Sequence, residues 1–412
     1  MTVSLTASTN LHVVKRRMFI PGILIISMIM GIVRFNDIPV GSFFDDAHYL
    51  VLAKSLAAGS GYRLINYPYL PIEDAFPPGW PLLLTPLALI FPNSLLAPKL
   101  LAFVLWFGGI LFAYRLFAKQ LASPYAEILL ALLAWNPQLI GMAGTAMSES
   151  AYLFFSLLTL NLAQMWRDGE KKRPFLLLTF LLLSAIYTML VRTIGIAMLG
   201  AILTMLLFSL KKQHRNILLI GSGILLLILA PLAWFNIRNG GSLIFSSLYT
   251  QHIIYVMNNL GTFLRFWEHG TAVSYETIAN AVVPIFGLQA ITNLLTSTIM
   301  HGLSIVVLLV AAIGWALSLR KMPVQGLYIL LYVAIFYVWV VYIDEVQPRI
   351  ALPLIPFLTY YIVLAITKGS QWLTRNNAHS AQRFSIVLLS SLLVILVARN
   401  VYVAQQPTRD RI

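Results

Sequence analysis

FFDDAHYLVLAKSLAAGSGY, running from Phe43 to Tyr62, is the stretch on which the reading of this chain turns. Two adjacent carboxylates, Asp45 and Asp46, follow closely on a hydrophobic segment, and a carboxylate near lipid is costly. Tyr49, Leu50, Ala53, Leu56 and Ala57 recur at helical spacing, and Gly59 supplies a stop. The stretch is expected to form a helix lying along the membrane surface, with Asp46 as its N-cap. Asp45, His48 and Tyr49 stand at i, i+3 and i+4 and so share one face. A single acid would complement the helix dipole; the second calls for a function.

The surrounding composition sets the class. The chain is 59% hydrophobic and 10% charged, against about 45–50% and about 25% in soluble domains. The expectation is an all-α integral membrane protein forming one polytopic domain over residues 1–412. Runs of about 20 apolar residues mark about eleven transmembrane helices: 16–34, 97–116, 124–141, 148–166, 174–191, 193–210, 216–235, 298–319, 325–343, 350–367 and 384–402. The first reads as a retained anchor, because Arg34-Phe35-Asn36-Asp37 follows it where a cleaved signal would show small residues. Cysteine is absent, which excludes a disulfide framework and thiolate chemistry.

The net charge of +14 invites nucleic acid as a partner, and its distribution removes the need for one. Lys15, Arg16 and Arg17 precede the first span, and every second loop after it is basic: Arg115/Lys119, Arg167 to Arg173, Lys211 to Arg215, Arg320/Lys321 and Lys368 to Arg383. That side collects 17 of the 28 Lys and Arg with three acids, Glu127, Asp168 and Glu170. The other side balances to zero. The whole excess is a positive-inside signal, which predicts a multi-pass protein of the plasma membrane with a cytoplasmic N-terminus. The long loops 35–96 and 236–297 then lie outside, the first carrying interfacial helices and the acidic motif.

Four further motifs belong to that outer side. In YPYLPIEDAFPPGWPLLLTPLALIFP, residues 67–92, Glu73 and Asp74 precede a Pro77-Pro78-Gly79 turn, and Trp80 to Phe91 reads as a helix too short to span. In GTAMSES, Ser148 is a candidate N-cap and Glu149 falls in the first turn of a span. LVRTIGIA places Arg192 between two apolar runs, and YIDEVQPRIALPLIPFL places Glu345 and Arg349 at the start of another. Arginine forks bind phosphate bidentately, which makes Arg349, Arg192 and Arg238 candidates for a phosphate site. His48, Tyr49, Glu73, Asp74 and Glu345 are candidates for substrate contact. The sequence specifies no particular cofactor; for a divalent metal, Asp45, Asp46 and His48 are the candidate ligands, although hard cations usually gather more oxygens than that set offers.

The order of these features resembles the GT-C membrane glycosyltransferases, and within them the protein O-mannosyltransferase and aminoarabinose transferase group. The resemblance rests on DDAHYL after span one, AKSLAAGSGY, FPPGWPLLL, the acidic SE at 148–149 and RIALPLIPF at 349–357, within an organisation covering residues 15–367. It implies a polyprenyl-phosphate-linked sugar as donor, used at the outer membrane face, and a glycan, lipid or protein as acceptor. It implies Asp45 as general base, Asp46 and Glu149 as the accompanying acids, and Arg349 near the lipid phosphate. Relatives of the aminoarabinose type carry a basic residue just before their Pro pair; Phe76 stands there in this chain. The expected activity is hexosyl or pentosyl transfer with inversion. The rival readings are a lipid or solute transporter or flippase, which would place its charges near the midplane among repeats, and a polysaccharide polymerase or ligase.

Overall fold

An apolar chain in lipid must satisfy its backbone polar groups within itself, and helices do so. A computed structural model describes residues 4–35, 38–169, 173–208, 223, 230, 233–239, 247–284, 297–340, 348–375 and 377–405. Among these residues there is no strand, only one isolated bridge between Arg63 and Ile72. The helices are α1 (Ser4–Val33), α2 (Asp45–Ala57), α3 (Gly79–Ile90), α4 (Leu96–Ala118), α5 (Tyr125–Ala134), α6 (Pro137–Ala143), α7 (Glu149–Arg167), α8 (Pro174–Val191), α9 (Ile196–Phe208), α10 (Ser247–Asn258), α11 (Leu260–Val282), α12 (Ser297–Ser318), α13 (Pro323–Val340), α14 (Pro348–Ala351), α15 (Ile355–Leu373) and α16 (Ala378–Gln405).

Most of the expected span 216–235 and the ends of 193–210 and 325–343 lie outside the described residues; the described parts of the other expected spans fall largely on helix. Five helical stretches among the described residues are long and apolar enough to cross a membrane, or six if the α5–α6 pair counts as one broken span. Several of the others are shorter apolar helices. The expected span 124–141 is corrected: it is two helices bent by 50°. Asn136 and Pro137 cause the break, because Pro137 cannot donate within α5 and suits the first turn of a new helix. The Asn136 side chain accepts from the N–H groups of Gln138 and Leu139 at 3.0 and 3.1 Å, which caps α6.

α7 runs through the interior and can carry polar residues there because its neighbours satisfy them. Asn161 Nδ2 donates to the Phe112 carbonyl of α4 at 2.9 Å. The hydroxyls of Thr159 on α7 and Ser184 on α8 meet at 2.7 Å. Such bonds between membrane helices contribute about 0.6 kcal/mol each on average. The stretch Arg349–Leu373 is the most enclosed, with 89% of its apolar window buried, so it forms the centre of the bundle and carries Arg349 at its start.

The first loop docks onto this bundle through α3. A Cβ on Gly79 would stand 2.6 Å from the backbone carbon of Leu190 and the nitrogen of Val191, so only glycine lets α3 close on the end of α8. The Gly79 carbonyl accepts from the Tyr187 hydroxyl at 2.8 Å. Trp80 is fully buried and donates its indole N–H to the Ala146 carbonyl at 2.8 Å. Gly79→Ala is expected to cost about 1–3 kcal/mol through overpacking. A lowered midpoint of thermal unfolding in detergent checks this, and an unchanged midpoint refutes the packing assignment.

Candidate active site

α2 begins two residues earlier than the sequence suggests, at Asp45, so Asp46 is not its N-cap. Phe44 holds that position with φ 59°, and its side chain caps nothing. The Asp46 carboxylate turns back instead. It accepts the Gly41 N–H at 2.8 Å on Oδ2 and the Ala47 N–H at 2.9 Å on Oδ1. Asp46 is 1% exposed, so its geometry is that of a brace fixing the turn into α2 and with it the direction of Asp45.

Asp45 points into the bundle and meets Arg349 from more than 300 residues further along the chain, Oδ2 to Nη1 at 2.8 Å. Beside this pair stands a second one, Glu149 Oε1 to Arg192 Nη1 at 2.5 Å. Glu149 is in the first turn of α7, as expected. Arg192 follows the last residue of α8 in an extended conformation, φ −148° and ψ 133°, which is what breaks the helix between the two apolar runs. Neither arginine snorkels freely to headgroups: each is committed to a carboxylate. Ser148 bridges the groups, its Oγ 3.4 Å from Arg192 Nη1 and 3.3 Å from the Tyr49 hydroxyl. It occupies the N-cap position of α7, yet its side chain makes no cap bond and is spent on the site.

Opposite charges packed this way shape one another. Burial and the nearby Glu149 push the Asp45 carboxyl above its ordinary 3.8, while Arg349 and Arg192 pull it down; burial is the largest influence and the net direction is upward. Burial likewise raises the Tyr49 phenol, which keeps it a protonated hydrogen-bond donor. The arrangement can therefore take up a proton at Asp45 and offer a guanidinium to an anion within one partly buried charge cluster.

The remaining candidates take lesser places. His48 lies between Phe44 and Phe76, ring centroids 4.2 and 5.2 Å away, with Nδ1 3.1 Å from the Phe44 carbonyl oxygen. Phe76 thus closes a cluster of tilted rings around His48. Glu73 is buried and closes its own turn by accepting the Ala75 N–H at 2.6 Å. Asp74 lines a groove of about 240 Å³ with Tyr62, Phe76, Pro78, Leu190 and Asn236. Arg238 is stacked over Trp234 at 5.1 Å. Glu345 lies outside the described residues. Asp45, Asp46 and His48 do not converge, and among the described residues no three His, Asp or Glu gather as metal ligands.

Sequence reasoning missed Tyr332. Its hydroxyl donates to the Ile350 carbonyl at 2.8 Å and so ties α13 to the backbone beside Arg349. A signal was present: Tyr328 and Tyr332 stand at i and i+4 in an otherwise apolar span, on one face. Both are buried.

The fold has clear counterparts among solved structures. The archaeal oligosaccharyltransferase AglB from Archaeoglobus fulgidus, in complex with an inhibitory peptide and a dolichol-phosphate, matches 94% of this chain and 56% of its own at 14% identity and a TM-score of 0.56. The Archaeoglobus fulgidus oligosaccharyltransferase in the apo form gives 92%, 55%, 14% and 0.54, and its complex with zinc and sulfate gives 92%, 53%, 15% and 0.52. The chain spans a little over half the length of these neighbours. No family model and no curated protein matches it. The chain has the fold of the GT-C glycosyltransferases.

Proposed function

We propose that this chain is a membrane glycosyltransferase that moves a hexosyl or pentosyl group from a polyprenyl-phosphate donor to a hydroxyl acceptor. The observation that carries the reading is the convergence of Asp45, Arg349, Glu149 and Arg192 in one charge cluster of a GT-C fold. The acceptor oxygen attacks the anomeric carbon and its proton passes to an Asp45 oxygen. The bond from that carbon to the phosphate oxygen breaks, the electron pair stays with the phosphate, and Arg349 meets the charge that develops there. A single displacement of this kind inverts the anomeric centre. Glu149, with Arg192 holding it, supplies the negative field beside the sugar as it becomes cationic. The apolar groove lined by Phe76, Pro78 and Leu82 is read as the path of the prenyl chain, each buried CH₂ of which contributes about 0.8 kcal/mol.

The site is read as opening on the outer face of the plasma membrane, in a single polytopic domain of eleven spans. α7 supports this orientation. It begins at Glu149 in the site and ends, about 28 Å away by helical rise, at Arg167, whose guanidinium donates to the Lys321 carbonyl at 3.0 Å. Lys119 and Asp168 pair beside it at 3.7 Å. The basic loops and the site therefore stand at opposite ends of one helix.

Purified protein with a panel of radiolabelled polyprenyl-phosphate sugars tests the reading. Transfer by the wild type and none by a folded Asp45→Asn variant is expected. Movement of label across vesicles by both proteins, without transfer by either, would establish a transporter instead. The pH profile adds a second check. A raised carboxyl must still lose its proton to act as a base, so the acid limb of kcat/KM lies above pH 3.8. Arg349 pulls that carboxyl down, so Arg349→Gln moves the limb further up; a downward move contradicts the assignment of Asp45 as base.

A further inference from the structure

A free carboxylate is what a general base requires, and Asp45 is not free. Its Oδ2 is held 2.8 Å from Arg349 Nη1, and Arg349 is also the cation that the proposed chemistry offers to a phosphate. One guanidinium therefore faces two anions that need it at different times. Arg192 cannot take over, because Glu149 holds it at 2.5 Å and it also reaches Ser148. The backbone beside Arg349 is pinned by the Tyr332 bond to the Ile350 carbonyl, so any rearrangement falls to the arginine side chain. Phosphate accepts an arginine fork bidentately, which lets an incoming donor compete with the carboxylate.

We propose that Arg349 masks Asp45 in the free protein, and that the phosphate of a bound lipid donor draws the guanidinium away and frees the carboxylate to act as a base. The proposal rests on the reading of Asp45 and Arg349 given above and adds an order to it: donor first, acceptor second. The phosphate is the trigger and the sugar is dispensable, so a plain polyprenyl monophosphate also unmasks Asp45. The charged groups that act on Asp45 are Arg349, Glu149 and Arg192. Of these only Arg349 is paired to it, and the pair is not fully enclosed, with side-chain exposures of 17% for Arg349 and 22% for Asp45. Withdrawing Arg349 removes the largest influence holding the Asp45 carboxyl down, so at a given pH more of it is protonated.

Carbodiimide coupling to an amine reads this, because it consumes protonated carboxyls in apolar surroundings. The full chain in detergent is labelled near neutral pH with and without a polyprenyl monophosphate, and adduct at Asp45 is followed by mass spectrometry with adduct at Glu268 as reference. Labelling of Asp45 is expected to rise several-fold with the lipid. Arg349→Gln is expected to show the higher rate without lipid and no further response, and Arg349→Lys, which keeps the charge, an intermediate one. Unchanged or slower labelling of wild-type Asp45 by lipid that is bound overturns the mask, whether the arginine bridges both anions or the lipid occludes the carboxyl. Lipid binding is measured separately by tryptophan fluorescence. Absence of binding would sink the donor reading itself, which is a different failure.

Discussion

Asp45→Asn is expected to lower kcat by roughly 10²–10⁴-fold, the usual contribution of a positioned base, or about 3–5 kcal/mol of barrier. The substitution keeps the shape and volume of the side chain and removes only its ability to take a proton. It also releases Arg349 from its carboxylate partner at 2.8 Å. Donor binding is therefore expected to stay level or tighten while turnover collapses. Arg349→Gln is expected to weaken donor binding as well, since the phosphate loses its guanidinium. Steady-state kinetics over a range of donor concentrations separates the two variants. A loss of donor affinity in Asp45→Asn with kcat preserved would assign the carboxylate to binding instead of proton transfer.

The second large effect concerns stability. Glu149 is 3% exposed and its carboxylate pairs with Arg192 at 2.5 Å. Glu149→Gln leaves the guanidinium enclosed against a neutral amide, and breaking a buried pair from one side costs about 3–5 kcal/mol. That is a large share of the about 5–15 kcal/mol that holds a typical domain folded. The double substitution Glu149→Gln with Arg192→Met removes both charges and is expected to recover much of the loss. Thermal unfolding of the two single variants and the double variant in detergent gives the coupling. Equal additive losses would mean that the pair contributes little and that Glu149 is held by other contacts.

Much of the site was legible because its residues break local rules. Asp45, Glu149, Arg192 and Arg349 are charges at the ends of apolar runs, and such charges stand out where the background is hydrophobic. Their grouping on one side followed from the alternation of basic loops, before any contact was known. Which acid pairs with which arginine was not legible, because it depends on packing across about 300 residues of chain. Asp46 illustrates the limit. It looks equivalent to Asp45 in sequence, yet its carboxylate is taken up by the backbone N–H groups of Gly41 and Ala47 and not by either arginine. Phe44 with φ 59° could not be anticipated either, since a bulky residue rarely adopts that conformation. The break at Asn136-Pro137 carried a helix-start signal, which the apolar run around it concealed. Tyr332 was hidden for a related reason: a tyrosine in a span reads as apolar until its hydroxyl is seen to hold the Ile350 carbonyl.

The central claim is that the Asp45–Arg349 pair faces away from the cytoplasm, and the absence of cysteine from the sequence makes it directly testable. Phe44 is 64% exposed and adjoins Asp45, so Phe44→Cys places a single thiol at the mouth of the site. Intact cells expressing this variant are treated with a membrane-impermeant maleimide. Labelling without permeabilisation is the result predicted. Labelling only after the membrane is opened, in a variant that takes up a permeant maleimide normally, would place the pair on the cytoplasmic side and contradict it.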